Sequence, residues 1–205
     1  LSRYRRNFTR KEKLFNSWSI LKNKYNNQRV FLIGNGPSLN KTPLHFLKDE
    51  HTIVFNRFNL MFERLNWKPT FYTTVDERVA EDNSDEINQI NKNVSHSFFP
   101  DIHPRGTDFR KFINLRSNVH WLKLQGRGYS SALPQCGLNG TVANVGIQIL
   151  IYLGFKEIYL LGVDMNYLNQ KSVIKEDKRD WVANEDDDPN HFDPRYFGKG
   201  KKYHR

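Results

Sequence analysis

A single cysteine, Cys136, in 205 residues leaves no room for an internal disulfide or a cysteine-built zinc site and agrees with a reducing cytoplasm. No apolar run approaches the roughly 20 residues of a membrane span. The basic N-terminus lacks the continuous apolar stretch of a secretory signal. No Gly-x-x-x-x-Gly-Lys-Ser/Thr loop is present, so ATP would have to be held in some other way. Acid is scarce at both ends: residues 1–30 hold nine Lys/Arg against one acid, and residues 195–205 hold five against none. The net charge of +10 is therefore a property of the termini, because residues 31–194 carry 18 basic and 21 acidic side chains. A nucleic-acid binder puts its basic stripe on the folded body, so no nucleic-acid partner is expected.

What is there supports one domain with a real core: 38% of residues are hydrophobic and 14% aromatic, too many for a disordered chain. The chain starts on Leu1 rather than Met and stops at Arg205 without a closing helix, which reads as a fragment of a longer protein. Residues 1–28 space Tyr4, Phe8, Leu14, Phe15, Trp18, Leu21 and Tyr25 on one face of a basic amphipathic helix. That helix either packs on the domain or rests peripherally on an anionic inner-membrane surface.

Short apolar runs at 30–33, 52–55, 70–73, 94–99, 119–124 and 156–163 read as buried strands. They alternate with helical stretches at 43–47, 78–92 and 141–152, the last apolar nearly all round. This pattern predicts a single Rossmann-like α/β domain over 29–164, with a mainly parallel sheet flanked by helices. Residues 165–205 are polar and irregular and read as a lid loop followed by an ordered, aromatic-rich C-terminal segment.

The candidate site gathers at strand ends, where open α/β sheets bind ligands. Gly34-Asn35-Gly36-Pro37-Ser38 follows the first strand. Glycine there permits a tight turn and a close backbone approach, and Ser38 is expected to N-cap a helix near Leu39. A strand, glycine turn and helix N-terminus in series form an anion cradle, although a bare Gly-x-Gly is also an ordinary turn. Gly137-Leu138-Asn139-Gly140-Thr141 is a second glycine-led approach to a helix. Asn56, Asp76 and Asp164 end further strands.

Three pieces in this order carry a resemblance: Ile33-Gly34-Asn35-Gly36-Pro37-Ser38-Leu39, Gly154 through Gly162-Val163-Asp164, and Asn190-His191-Phe192 leading to Tyr196-Phe197-Gly198. Together they resemble bacterial sialyltransferases that modify lipooligosaccharide with CMP-sialic acid. They resemble equally a group related to 6-hydroxymethylpterin diphosphokinase (MptE-like), which includes glycosyltransferase-like proteins of surface-polysaccharide and flagellin modification. The resemblance implies a nucleotide-binding site of Gly34, Asn35, Gly36, Ser38, Asn56, Asn139, Gly140, Thr141 and Asp164, with Thr73 where the sialyltransferases have an asparagine. It implies His191 as general base and Tyr167 as one of two tyrosines assisting the leaving phosphate, with Tyr196 or Tyr203 as the second. The arginine that precedes the helix approach in those enzymes has no clear counterpart, Arg127 lying upstream.

The implied reaction is an inverting, metal-independent transfer of a nonulosonic acid from a CMP-sugar donor to a glycan acceptor, with no added cofactor and a homo-oligomer as a further expectation. A histidine titrates near working pH and suits the base. The alternative diphosphokinase chemistry uses ATP and Mg²⁺ held by carboxylates, with Asp76, Asp164 and the aspartates at 186–188 available. The remaining alternative is a non-catalytic nucleotide- or glycan-binding domain. His191 would then be a packing residue.

Overall fold

In the computed structural model, which describes residues 18–130, 132–175 and 180–204, seven parallel strands form one sheet in the order β6-β5-β4-β3-β2-β1-β7. They are β1 (Arg29–Ile33), β2 (Thr52–Phe55), β3 (Phe71–Thr73), β4 (His96–Pro100), β5 (Val119–Gln125), β6 (Gln135–Gly137) and β7 (Glu157–Leu161). Six strands are laid down side by side in one direction. The chain then returns through one helix to place β7 against the free side of β1. The expected parallel α/β domain is thus the observed one.

The strands alternate between two apolar layers because successive side chains point to opposite faces. Val30, Leu32, Ile53, Phe55, Phe71, Phe98 and Leu122 join helix α3 (Val142–Leu153) on one face. Ile33, Val54, Tyr72, Phe99 and Trp121 join the other layer, covered by α1 (Glu77–Asp82), α2 (Ser84–Asn91) and short 3-10 turns. Helix α3 begins at Thr141, whose hydroxyl accepts from the Ala143 N–H, and ends at Gly154 with φ +94°, a left-handed C-cap that glycine adopts without strain. Its apolar character reflects burial of Val145, Ile149, Leu150 and Leu153.

Three expectations change. The single helix over 78–92 is two helices, broken at Asn83, which precedes α2. The N-terminal helix does not continue to residue 28: residues 20–27 are turns, with Asn23 and Asn27 at positive φ, a conformation asparagine tolerates. Trp18 and Leu21 are buried there, the Trp18 indole donating to Trp121 O (2.9 Å), so these two positions face the core rather than a lipid surface. The rest of that predicted helix, residues 1–17, lies outside the described residues. No helix among the described residues is long and apolar enough to cross a membrane. Finally, the polar stretch after β7 is not a structureless loop. It contains β8 (Val173–Lys175) and β9 (Asp180–Ala183), which with β10 (Lys202–His204) make a separate antiparallel sheet.

The turn after β1 and the end of β7 are bonded to each other. Gly34 N–H donates to Leu161 O (2.7 Å) and Gly36 N–H to Gly162 O (2.8 Å). A Cβ on Gly34 would lie 2.3 Å from Gly162 O, and one on Gly36 2.4 Å from the Asp164 carboxylate. We expect Gly34→Ala to lower unfolding free energy by about 1–3 kcal/mol in urea titrations, whereas Gly126→Ala, with open space around its Cβ, leaves the midpoint unchanged.

At the opposite end of the sheet Lys24 donates to His96, which bonds His120 (3.0 Å). Burial, with the His96 and Lys24 charges nearby, pushes the buried His120 imidazole down to about 3. The unfolded chain takes up that proton near pH 6.5 and the folded chain does not, so stability falls as pH drops below 6.5. Between pH 6.5 and 4.5 thermal melts should show a loss of about 1.4 kcal/mol per pH unit from this residue, and His120→Gln should flatten that slope.

Candidate functional site

A cavity of about 630 Å³ opens at the carboxyl ends of the parallel strands, within the range of ligand pockets. Its walls come from the turns after β1, β2, β3, β4 and β7, the N-terminus of α3, and the C-terminal segment. Of the predicted nucleotide-binding residues, Gly34, Asn35, Gly36, Asn56, Gly140, Thr141 and Asp164 line it, as do His191 and Tyr167.

Three predicted residues do not. Ser38 is not a helix cap: the short 3-10 turn Pro37–Lys41 starts from Gly36, and Ser38 instead grips Asp164 through its N–H (2.8 Å) and hydroxyl (2.5 Å). Thr73 is fully buried, its hydroxyl donating to Phe98 O (2.7 Å). Asn139 uses both ends of its amide on the Gly128 backbone. The glycine turn is also not the open anion cradle its sequence implies. The N–H groups of Gly34, Gly36 and Ser38 all have internal acceptors, and Pro37 has none. The open helix N-terminus at the cavity belongs to α3, with Gly140, Thr141, Val142 and Ala143 on its wall.

The cavity floor is neutral and polar. Asn35 donates to the Tyr196 phenol (3.2 Å) and to Phe55 O (3.3 Å), and Asn56 lies on the same cavity wall as that tyrosine. The Oδ1 atoms of both asparagines are buried without a hydrogen-bond partner among the described residues. Buried acceptors left open are costly, which marks this floor as a polar patch that packing alone does not explain. Burial pushes the Tyr196 phenol far up, keeping it a neutral donor and acceptor.

His191 is the reactive group most fully prepared. Its Nδ1 lies 2.7 Å from Asp188 Oδ2, and its ring stacks on Tyr196 at 3.8 Å with planes 4° apart. A carboxylate only accepts, so in the neutral imidazole Nδ1 carries the proton and Nε2 the lone pair. Asp188 is itself buried and held by the N–H groups of Asn190 and Phe197. The segment is tied to the sheet by Phe192 N–H to Asn35 O and by buried Arg57, which donates to the carbonyls of Arg195 and Tyr196. Asp188 as the partner of His191, and Arg57 as the anchor, were not predicted. The His191 spacing of three residues from Asp188 was the available signal. Tyr167, by contrast, stands at the rim, 77% exposed.

The carboxylates proposed for Mg²⁺ are otherwise engaged. Asp164 holds Ser38, Asp76 caps α1 through the N–H groups of Arg78 and Val79, Asp186 accepts from Lys199 N–H, and Asp187 from Ser172 and Gln170. Among the described residues no three His, Cys, Asp or Glu side chains come together in a way that would hold a metal ion.

A family model described as 6-hydroxymethylpterin diphosphokinase MptE-like matches residues 2–170. The chain belongs to the MptE-like family. The matched stretch includes both glycine motifs and the α3 approach and ends before Asp188 and His191. Among solved structures, the MAf glycosyltransferase from Magnetospirillum magneticum AMB-1 resembles it with a TM-score of 0.49 and 17% identity over 82% of this chain. The chain spans 29% of that protein's length. No curated protein matches the chain.

Asp188→Asn replaces an oxygen that only accepts with an amide that must donate on one side, so one of its bonds to Asn190, His191 or Phe197 is lost. We expect about 1–3 kcal/mol of destabilisation. Histidine ¹⁵N shifts should place the His191 proton on Nδ1 in the native protein and shift it toward Nε2 in the variant. A native proton on Nε2 would contradict this arrangement.

Proposed function

We propose that the chain is a glycosyltransferase domain that moves a nonulosonic acid such as sialic acid from a CMP-activated donor to a hydroxyl of a surface glycan. The observation that carries the reading is the Asp188–His191 pair in a cavity that also holds a helix N-terminus and a neutral, hydrogen-bonding floor. His191 Nε2 takes the acceptor hydroxyl proton as the acceptor oxygen bonds the anomeric carbon. The bond from that carbon to the phosphate oxygen breaks, and CMP leaves with the electron pair. Asp188 stabilises the imidazolium that forms. The N-terminus of α3, the Thr141 hydroxyl and Tyr167 serve the departing phosphate. A single displacement of this kind inverts the anomeric centre, and a monophosphate leaving group makes no demand for a divalent ion.

The family description names a diphosphokinase, and pyrophosphoryl transfer from ATP relies on Mg²⁺ held by carboxylates. The described carboxylates do not fit that demand, being occupied as caps and turn bonds. We derive no step through a metal.

A thermal-shift panel with CMP, CDP, UDP, GDP and ATP, each with and without Mg²⁺, tests the donor. CMP at a hundredfold excess over its Kd should raise Tm by about 5–10 °C irrespective of Mg²⁺. A shift with ATP and Mg²⁺ alone would replace this reading with the diphosphokinase one. His191→Ala should lower turnover by about 10²- to 10⁴-fold and leave CMP affinity unchanged. Unaltered turnover would remove the base, and absence of turnover in the native protein alongside CMP binding would favour a binding domain.

A further inference from the structure

The cavity has a charge imbalance. Its lining includes the carboxylates of Asp76, Asp164 and Asp188, and among the described residues Arg105 is the single Lys or Arg on its wall. An anionic ligand therefore meets one permanent cation.

That cation is fixed in place from two directions. Its backbone lies in the tight loop that follows β4, where Ile102 bridges Asp108, His103 N–H donates to Thr107 O (2.8 Å), and Gly106 N–H returns to His103 O (2.8 Å). Gly106 turns the loop at φ +99°, which favours glycine. The Arg105 N–H itself donates to His103 Nδ1 (3.2 Å). The side chain is held by Glu77, the first residue of α1, whose Oε1 accepts from Arg105 Nη1 at 2.8 Å. Glu77 is in turn buried and fixed by the Thr107 hydroxyl (2.6 Å). Burial alone would raise its carboxyl, but the bonds from Thr107 and Arg105 and the nearby His103 bring it down to about 2, so it stays a carboxylate at any working pH. A guanidinium has five N–H donors. One of Arg105's is engaged with Glu77, and the side chain remains 54% exposed at the cavity. An ion pair this open contributes little to stability. Its effect is to orient a planar fork of donors that matches a phosphate or carboxylate.

We propose that Arg105, oriented by Glu77, is the anion subsite of this cavity and takes either the phosphate or the sugar carboxylate of the donor. The identity of that donor rests on the function proposed above; the anion subsite does not.

Calorimetric titration of the native protein, Arg105→Gln and Arg105→Lys with inorganic pyrophosphate, cytidine, CMP and CMP-N-acetylneuraminate tests the assignment. Matching melting temperatures for the three proteins establish folding. Arg105→Gln should weaken the anionic ligands roughly ten- to hundredfold and leave cytidine unchanged, with Arg105→Lys intermediate because it keeps charge but not the fork. Weakened CMP assigns the phosphate. Unchanged CMP with a weakened CMP-sugar assigns the carboxylate. Pyrophosphate binding that is lost in Arg105→Gln, in a protein without CMP affinity, would uphold the subsite while removing the cytidine donor. Equal affinities of native protein and Arg105→Gln for every anionic probe, or no anion binding by the native protein, would overturn the proposal.

Discussion

The bond set between the first and last strands of the parallel sheet is the constraint on which the site depends. Strands β1 and β7 are 126 residues apart in sequence where Ser38 meets Asp164, yet the backbones beyond their carboxyl ends approach so closely that only glycine fits at 34 and 36. This is the position where the strand order reverses, β2 lying on one side of β1 and β7 on the other. In open sheets such a reversal leaves a crevice. Here its base is closed by Asp164, whose carboxylate occupies the place that a ligand anion would otherwise take at the turn. The cavity is bounded by Asp164 together with Asn35, Asn56 and the start of α3.

The second constraint is how a polar C-terminal segment is held against the sheet so that His191 faces the cavity. Strands of three or four residues do not supply much apolar burial. The segment is instead fastened by directed bonds to the sheet: Phe192 to Asn35 O, Asn40 to Phe192 O (3.0 Å), and Arg57 to two carbonyls. Phe192 and Tyr196 add two fully buried rings. Arg57 is buried but not isolated, since Glu86 faces its other nitrogens at 3.3 Å, which offsets the cost of taking the charge out of water. The acidic run 186–188 reads as a solvated or metal-binding patch in sequence. In space each carboxylate accepts backbone N–H groups of its own segment, and Asp188 adds His191.

Much of the sheet was legible because β1, β2, β4, β5 and β7 are apolar runs, and α3 is apolar on nearly every face. The strands that escaped notice, β6 and β8 to β10, are three or four residues long, too short for any period to register. The cavity wall was legible where a strand end carries its own polar side chain, as at Asn35 and Asn56, and where a hydroxyl opens a helix, as at Thr141, whereas His191 was reached through the family resemblance. It was misread where function was inferred from a local motif alone. Gly34-Asn35-Gly36 looks like a ligand cradle because its partner, Gly162 to Asp164, is far away in sequence. Thr73 occupies an alternating position that points into the sheet layer. Asp188 and Arg105 were missed because their meaning lies in a partner, His191 or Glu77, and pairing across a fold leaves little trace in one chain.

The charge distribution links these parts. A net charge of +10 would draw anions to the surface generally, but the described cavity wall is acidic apart from Arg105. On the proposed anion subsite, an anionic ligand entering it is oriented rather than merely attracted. The carboxylates on the wall are already hydrogen-bonded by Ser38, by the first N–H groups of α1 and by His191, whereas the α3 N-terminus and Arg105 offer donors. The asparagine floor beside them carries no charge. On the function proposed above, His191 is bonded to the Asp188 carboxylate on the C-terminal segment while Arg105 stands on the β4–β5 loop, so proton transfer and anion binding are assigned to separate elements of one cavity.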